Sequence, residues 1–164
     1  MKSLTLILTT LFLFSSPVVW GEEVDYDDLV FRDGLYYKKF TDEPFSGDVV
    51  GQERGKVVKG KPEGKWTRWR ENGQLIQRKN YKNGIPDGLF EWYYENGQLS
   101  SRGHYKNGKY DGLYESYYPN GQLGSRGHYK NYKQVGKWEY YNEDGTLDRV
   151  EDDSDTIIFE NDSE

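Results

Sequence analysis

The chain has 164 residues, and charged residues make up 30% of it against 34% for the apolar set. That is polar for one folded domain, and the length leaves no room for a large second one. The compensation is aromatic, with 15 Tyr, 7 Phe and 5 Trp, side chains that bury much area each. There is no cysteine, which excludes disulfides, thiol catalysis and a lipid-bearing cysteine.

In chain order, residues 1–21 read as a secretory signal: Lys2 supplies the charge, the stretch 4–14 is apolar, and Val19-Trp20-Gly21 precedes the expected cleavage. The apolar run is short for a membrane span, so no transmembrane anchor is expected after cleavage, and Glu22 is the expected mature N-terminus. Residues 22–59 form a degenerate N-terminal capping region, since terminal repeats are commonly atypical. In it, Asp33-Gly34-Leu35-Tyr36-Tyr37 echoes the opening of the repeats that follow, and Phe45-Ser46-Gly47-Asp48-Val49-Val50 looks like another strand start.

Residues 60–150 carry four copies of one unit. Gly64, Gly88, Gly112 and Gly136 are 24 apart, as are Gly73, Gly97, Gly121 and Gly145, and Leu75, Leu99, Leu123 and Leu147. After each leading Gly comes an aromatic-rich run such as Leu89-Phe90-Glu91-Trp92-Tyr93-Tyr94, the composition of a strand. Asn-Gly or Asp-Gly follows, the strongest short hairpin signal, then a second strand. A second Asn-Gly (Asn83-Gly84, Asn107-Gly108) returns the chain to the next copy. The third copy has Asn131-Tyr132 there, so a different turn geometry is expected. The fold class is therefore all-β: an elongated antiparallel β-meander of tandem 24-residue hairpins. The second residue after each leading Gly (Trp66, Phe90, Tyr114, Trp138) and the fifth (Trp69, Tyr93, Tyr117, Tyr141) differ in parity. Either both faces carry aromatics or a bulge intervenes.

Residues 151–164 form an acidic C-terminal tail with an apolar knot, Ile157-Ile158-Phe159, either solvated or added to the sheet edge as a last strand. Without Lys2 the chain has 21 basic and 28 acidic residues, near −7. Residues 60–137 run the other way, with 14 basic against 7 acidic.

Chemistry finds little support. No nucleophile–base constellation or phosphate-cradling Gly loop is present, so no catalytic residue and no cofactor are assigned. His104 and His128 share a column, but equivalent strands lie about 9.6 Å apart, too far to share a metal, and no metal is expected. Glu91, Glu115 and Glu139 form a carboxylate column whose spacing alone would suit glycoside hydrolysis, yet nothing singles out one of them as an acid. Asn142 to Asp148 reads as a turn, not a calcium loop. The basic columns Arg78, Arg102, Arg126 and Lys82, Lys106, Lys130 could meet nucleic acid on paper, but an exported protein has little of it to meet.

The unit G-x-[WFY]-x-x-[WY]-x-x-[ND]-G-x-L followed by Y-K-N-G resembles the MORN-repeat-variant family, whose bacterial members include YwqK-type antitoxins. The resemblance covers about residues 33–150 and is strongest over 64–150. It implies binding of a partner protein, in some members a toxin, and no catalysis; the signal peptide departs from a cytoplasmic antitoxin. A binding surface is expected in the columns that vary between copies. The fourth position varies as Arg68, Trp92, Ser116 and Tyr140, and the sixth as Arg70, Tyr94, Tyr118 and Asn142. Arg68, Arg70, Trp92, Tyr94 and Tyr118 are the candidate partner-binding residues. A cell-wall or glycan-binding module, with aromatic rows stacking on sugar rings, is the alternative.

Overall fold

The computed structural model describes residues 21–152, so all but Gly21 of the expected signal, and the apolar knot of the tail, lie outside the described residues. Thirteen strands are present among the described residues. β1 (Glu23–Asp25), a 3-10 turn (Tyr26–Asp28), β2 (Leu29–Arg32), β3 (Leu35–Lys38) and β4 (Gly47–Val50) precede the repeats. Then come β5 (Glu53–Val58), β6 (Lys61–Trp69), β7 (Leu75–Lys82), β8 (Ile85–Tyr93), β9 (Leu99–Lys106), β10 (Lys109–Tyr117), β11 (Leu123–Lys130), β12 (Lys133–Tyr141) and β13 (Leu147–Asp152). From β4 to β13 each strand pairs with its chain neighbour, giving with β1 a single 11-stranded sheet. The all-β hairpin meander expected from the period is what forms; β1 departs from it by pairing parallel to β4.

The leading glycines do not start the strands. Gly88 lies inside β8, and its counterparts Gly64, Gly112 and Gly136 lie likewise inside β6, β10 and β12. Between β7 and β8 the pairing passes from Lys79↔Phe90 to Tyr81↔Pro86, so two steps on one strand face four on the other. The surplus is a bulge at Asp87-Gly88, where φ of 102° favours glycine. The same shift recurs in β5–β6, β9–β10 and β11–β12. One backbone carbonyl beside the first and last of these bulges is claimed by an indole: Trp66 Nε1 donates to Lys56 O at 3.2 Å and Trp138 Nε1 to His128 O at 3.1 Å.

The two Asn-Gly turns of a repeat differ in kind. In Tyr94-Glu95-Asn96-Gly97 only the glycine has positive φ, and Asn96 Oδ1 accepts from Gln98 N at 3.0 Å. Asp144 accepts likewise from Thr146 N, so the 142–148 segment is a turn. In Asn83-Gly84 and Asn107-Gly108 both residues have positive φ, the tight two-residue hairpin turn. Asn131-Tyr132 adopts the same turn, with φ of 50° and 68°, so the different geometry expected there does not occur. An aromatic residue in this region costs about 1–2 kcal/mol. Offsetting it, the Tyr132 ring packs edge-on to Tyr110 at 5.4 Å and its hydroxyl donates to the Gly108 carbonyl. Asp33-Gly34, with φ of 51° and 78°, is likewise the β2–β3 turn and not the echo of a repeat opening.

Parity sorts the side chains into two faces, and both carry aromatics. The second-position rings form one face. Across the sheet the paired residues run Trp66, Lys79, Phe90, Gly103, Tyr114 and Gly127, and Trp138 pairs with Glu151; at the bulges Gly55 lies against Trp66 and Gly127 against Trp138. A Cβ on Gly55 or Gly127 would sit within 2.3 Å of the indole of Trp66 or Trp138, and one on Gly103 within 2.9 Å of Phe90. The glycines are thus the floor on which these rings lie. Trp66 leans onto Gly55 and Phe90 onto Gly103, away from Lys79 between them. That leaves space for a lysine where two later copies have glycine. Its ammonium lies 5.6–5.8 Å from the rings of Tyr81, Trp92 and Tyr105 and joins two aromatic clusters. The N-terminal segment covers the first of them: Val24, Leu29, Phe45 and Val49 pack with Val57 and Trp66, and Tyr36 stacks on Trp66 at 6.3 Å.

Candidate functional site

The opposite face is ruled by charge. Its central row pairs Arg54, Thr67, Arg78, Glu91, Arg102, Glu115, Arg126 and Glu139 across successive strands. Arg78 meets Glu91 at 3.2 Å, Arg102 meets Glu115 at 2.5 Å and Arg126 meets Glu139 at 2.6 Å. The fifth-position tyrosines complete each set, Tyr93, Tyr117 and Tyr141 donating to the same glutamates at 2.7–2.9 Å. Arg54 instead lies over the ring of Trp69, at 4.7 Å. Opposite charges directly across a sheet contribute about 0.2–1 kcal/mol each.

This ladder decides what the glutamate column can do. Burial pushes the Glu115 carboxyl up, but hydrogen bonds from Arg102 and Tyr117 outweigh it and hold it below the usual range. Glu139 is drawn down to about 2 by Lys137, then Tyr141 and Arg126. A glycosidase acid needs a raised pKa, whereas these two carboxylates are held as anions. Two clefts open beside the ladder, of about 220 Å³ at Leu89, His104 and Leu113, and about 490 Å³ at Leu113, His128 and Val135. They are one repeat apart and lined by equivalent residues, which marks them as products of the period. Among the described residues no group of three His, Cys, Asp or Glu side chains could hold a metal.

Depressed carboxyls stabilise the fold above their unfolded pKa and lose that contribution as pH falls through the folded value. Thermal unfolding followed from pH 7 to pH 2 should therefore show stability falling between roughly pH 4.5 and 2. The Glu115→Gln/Glu139→Gln variant should start lower and lose less over that interval.

The candidate residues from the fourth and sixth positions separate by role. Arg68 pairs with Gln77, Gln77 with Trp92, and the row continues through Ser101, Ser116, Ser125 and Tyr140 to Arg149. Arg68 and Trp92 thus share the core-ring face, one row nearer the three-residue turns. Between Trp92 and Tyr140 the row is floored by small side chains, with Ser116 and Ser125 hydroxyls 2.7 Å apart. Strand spacing puts these two flanking rings roughly 19 Å apart. Arg68 is exposed and meets Glu53 at 3.2 Å.

The sixth-position residues reach the next repeat instead. Tyr94 Oη donates to Tyr117 O at 2.7 Å and Tyr118 Oη to Tyr141 O at 2.8 Å. Arg70 lies 3.5 Å from Glu95. Asn96 and Asn120, in the turns, make the same step to the carbonyls of Pro119 and Glu143. Removing both hydroxyls, Tyr94→Phe/Tyr118→Phe, should cost about 1 kcal/mol per bond and lower the melting temperature by several degrees in a thermal circular-dichroism scan. Two buried side-chain atoms without a hydrogen-bond partner among the described residues, Arg70 Nε and Gln77 Oε1, lie in this same part of the sheet. Nothing in the repeat pattern marks Gln77, Lys79 or the serine floor, because each matters only through its neighbours on other strands.

Comparison with family models places this geometry. Residues 62–83, 86–107 and 110–131 each match the MORN repeat variant. Every match spans one hairpin, β6–β7, β8–β9 or β10–β11, running from just past one tight two-residue turn to the next. Residues 62–131 thus match three tandem MORN repeat variants, and the protein is an all-β repeat protein. No curated protein matches the chain. Among the described residues no helix is long and apolar enough to cross a membrane.

Proposed function

We propose that this chain is an exported, non-catalytic interaction module of the bacterial envelope or exterior, and that it binds a protein partner on its ring-bearing face. The row Arg68, Gln77 and Trp92 with the serine-floored stretch to Tyr140 carries this reading. Most residues of the constant columns are spent on the core or on the charge ladder. The varying fourth position, by contrast, gathers an arginine and two aromatics around small side chains. Arginine and tryptophan are the residues that most often dominate interfaces. Tyr94 and Tyr118 fix the spacing of the repeats, with the Tyr118 ring beside Ser116 on the floor's own side, and Arg70 stands at its border. The antitoxin- or immunity-like role of YwqK-type proteins fits such a surface, acting here on a partner outside the cytoplasm.

The experiment is cross-linking of mature protein, beginning at Glu22, to the native envelope and medium, with partners identified by mass spectrometry. One dominant stoichiometric protein is the expected result. Recovery of wall glycan without such a protein would transfer the site to the second reading, a glycan-binding module. The two rings flanking the serine floor, Trp92 and Tyr140, favour that alternative.

A further inference from the structure

Hairpin topology sends alternate turns to opposite rims of the sheet. One rim collects the three-residue turns with Glu71, Glu95, Glu143 and Asp144. The other collects the tight turns, and lysines flank every one: Lys59 and Lys61, Lys82, Lys106 and Lys109, Lys130 and Lys133. The first turn is capped, Gly60 being buried beneath Leu35 and Pro44. From Lys61 to Lys133 the rim is open.

Three features distinguish this row from an ordinary solvated charge run. Its spacing is fixed: Gly84 N donates to Pro62 O at 2.9 Å, Gly108 N to Pro86 O at 2.8 Å and Tyr132 N to Tyr110 O at 3.1 Å, so each turn is tied to the hairpin before it. Successive turns therefore stand about 9.6 Å apart. Second, the rim's own carboxylates are engaged. Glu63 accepts from Asn83 N at 2.7 Å, Asp87 from Asn107 N at 3.1 Å, and Asp111 meets Lys130 at 3.0 Å. Lys61, Lys82, Lys106, Lys109 and Lys133 are exposed, and none has an ion-pair partner among the described residues. Third, Tyr132 is held at φ 68° where the other three turns have glycine, with its ring 53% exposed beside the row. Strain of this kind is kept where the side chain is used.

We propose that this rim binds a linear acidic polysaccharide laid across the turns. A row of point charges at constant pitch suits a linear polymer better than a flat membrane or a folded epitope. Between the lysines stand the side chains of Asn83, Asn107 and Asn131, able to bond sugar hydroxyls, and the Tyr132 ring offers a stacking face. Among the described residues β13 reaches only to Asp152, opposite Lys137, so the described row of turns ends at Lys130 and Lys133. The site is separate from the Trp92 face, so either can fail without the other.

The test is calorimetric titration of the full chain with polygalacturonate oligomers at low salt, with inorganic polyphosphate and anionic phospholipid vesicles as comparison ligands. The Lys82→Gln/Lys106→Gln/Lys109→Gln/Lys133→Gln variant should weaken polygalacturonate binding by roughly tenfold or more and flatten its salt dependence. The control Glu71→Gln/Glu95→Gln on the opposite rim should not weaken it. Tyr132→Gly, which also relieves the strained turn, should weaken polygalacturonate severalfold and leave polyphosphate unchanged. No polygalacturonate binding, binding indifferent to the four lysines, or tighter binding of polyphosphate or vesicles with no effect of Tyr132→Gly would overturn the proposal.

Discussion

Phe90→Ala is expected to lower the unfolding free energy by about 3–5 kcal/mol, the usual cost of truncating a buried aromatic. Phe90 is 1% exposed and packs with Tyr105, Tyr110 and Tyr114 at ring separations of 4.9–6.3 Å. These rings lie on the two strands after its own, so they lose their shared neighbour together and cannot close the gap by a local shift. In a protein of this size such a loss lowers the melting temperature by roughly 10 °C. Repeat arrays hold together through nearest-neighbour contacts, so the transition should also broaden as the halves on either side of β8 uncouple. Thermal unfolding of the variant beside the wild type measures both effects.

The second large effect is expected at a residue with no side chain. Gly127→Val would put its Cβ about where the Trp138 ring now lies, 2.2 Å from Cδ2. Trp138 is 3% exposed and its indole N–H is bonded to His128 O, so it has no vacant rotamer space to enter without giving up that bond. The substitution should cost about 3 kcal/mol or more, at the upper end of overpacking effects. Lys79→Gly, at the matching position of the first repeat, should cost only about 1 kcal/mol, the value of the ammonium–ring contacts that vanish. Comparing the melting temperatures of the two variants tests whether the glycine column exists to receive rings. Equal, small losses would show that it does not.

Much of this fold was legible because a period of 24 residues constrains every copy at once. The hairpins, the aromatic columns and the Asn-Gly turns follow from local chemistry. What the period hid was register. Gly88 reads as a beginning because it is constant, yet it is the positive-φ residue of a mid-strand bulge, and bulges depend on the facing strand. Tyr132 reads as a break in the turn, yet its φ matches the glycines because contacts with Tyr110 and Gly108 support it. The Arg-Glu-Tyr sets were visible as columns of like residues. Their alternation into one ladder appears only when Arg102 is seen to face both Glu91 and Glu115. Of the candidate site, the fourth column proved to be one continuous row with Gln77 and the serines. Tyr94 and Tyr118 gained a structural task from carbonyls 23 residues away, a contact no strand pattern announces.

The functional reading turns on whether the variable row can be altered without harming the sheet. The deciding measurement is capture of the cross-linked partner by the Arg68→Ala/Trp92→Ala variant, with its melting temperature recorded alongside. A melting temperature within a few degrees of wild type, together with loss of the partner, is the predicted result. A variant that melts normally and still captures the partner in full would contradict the assignment of binding to this face.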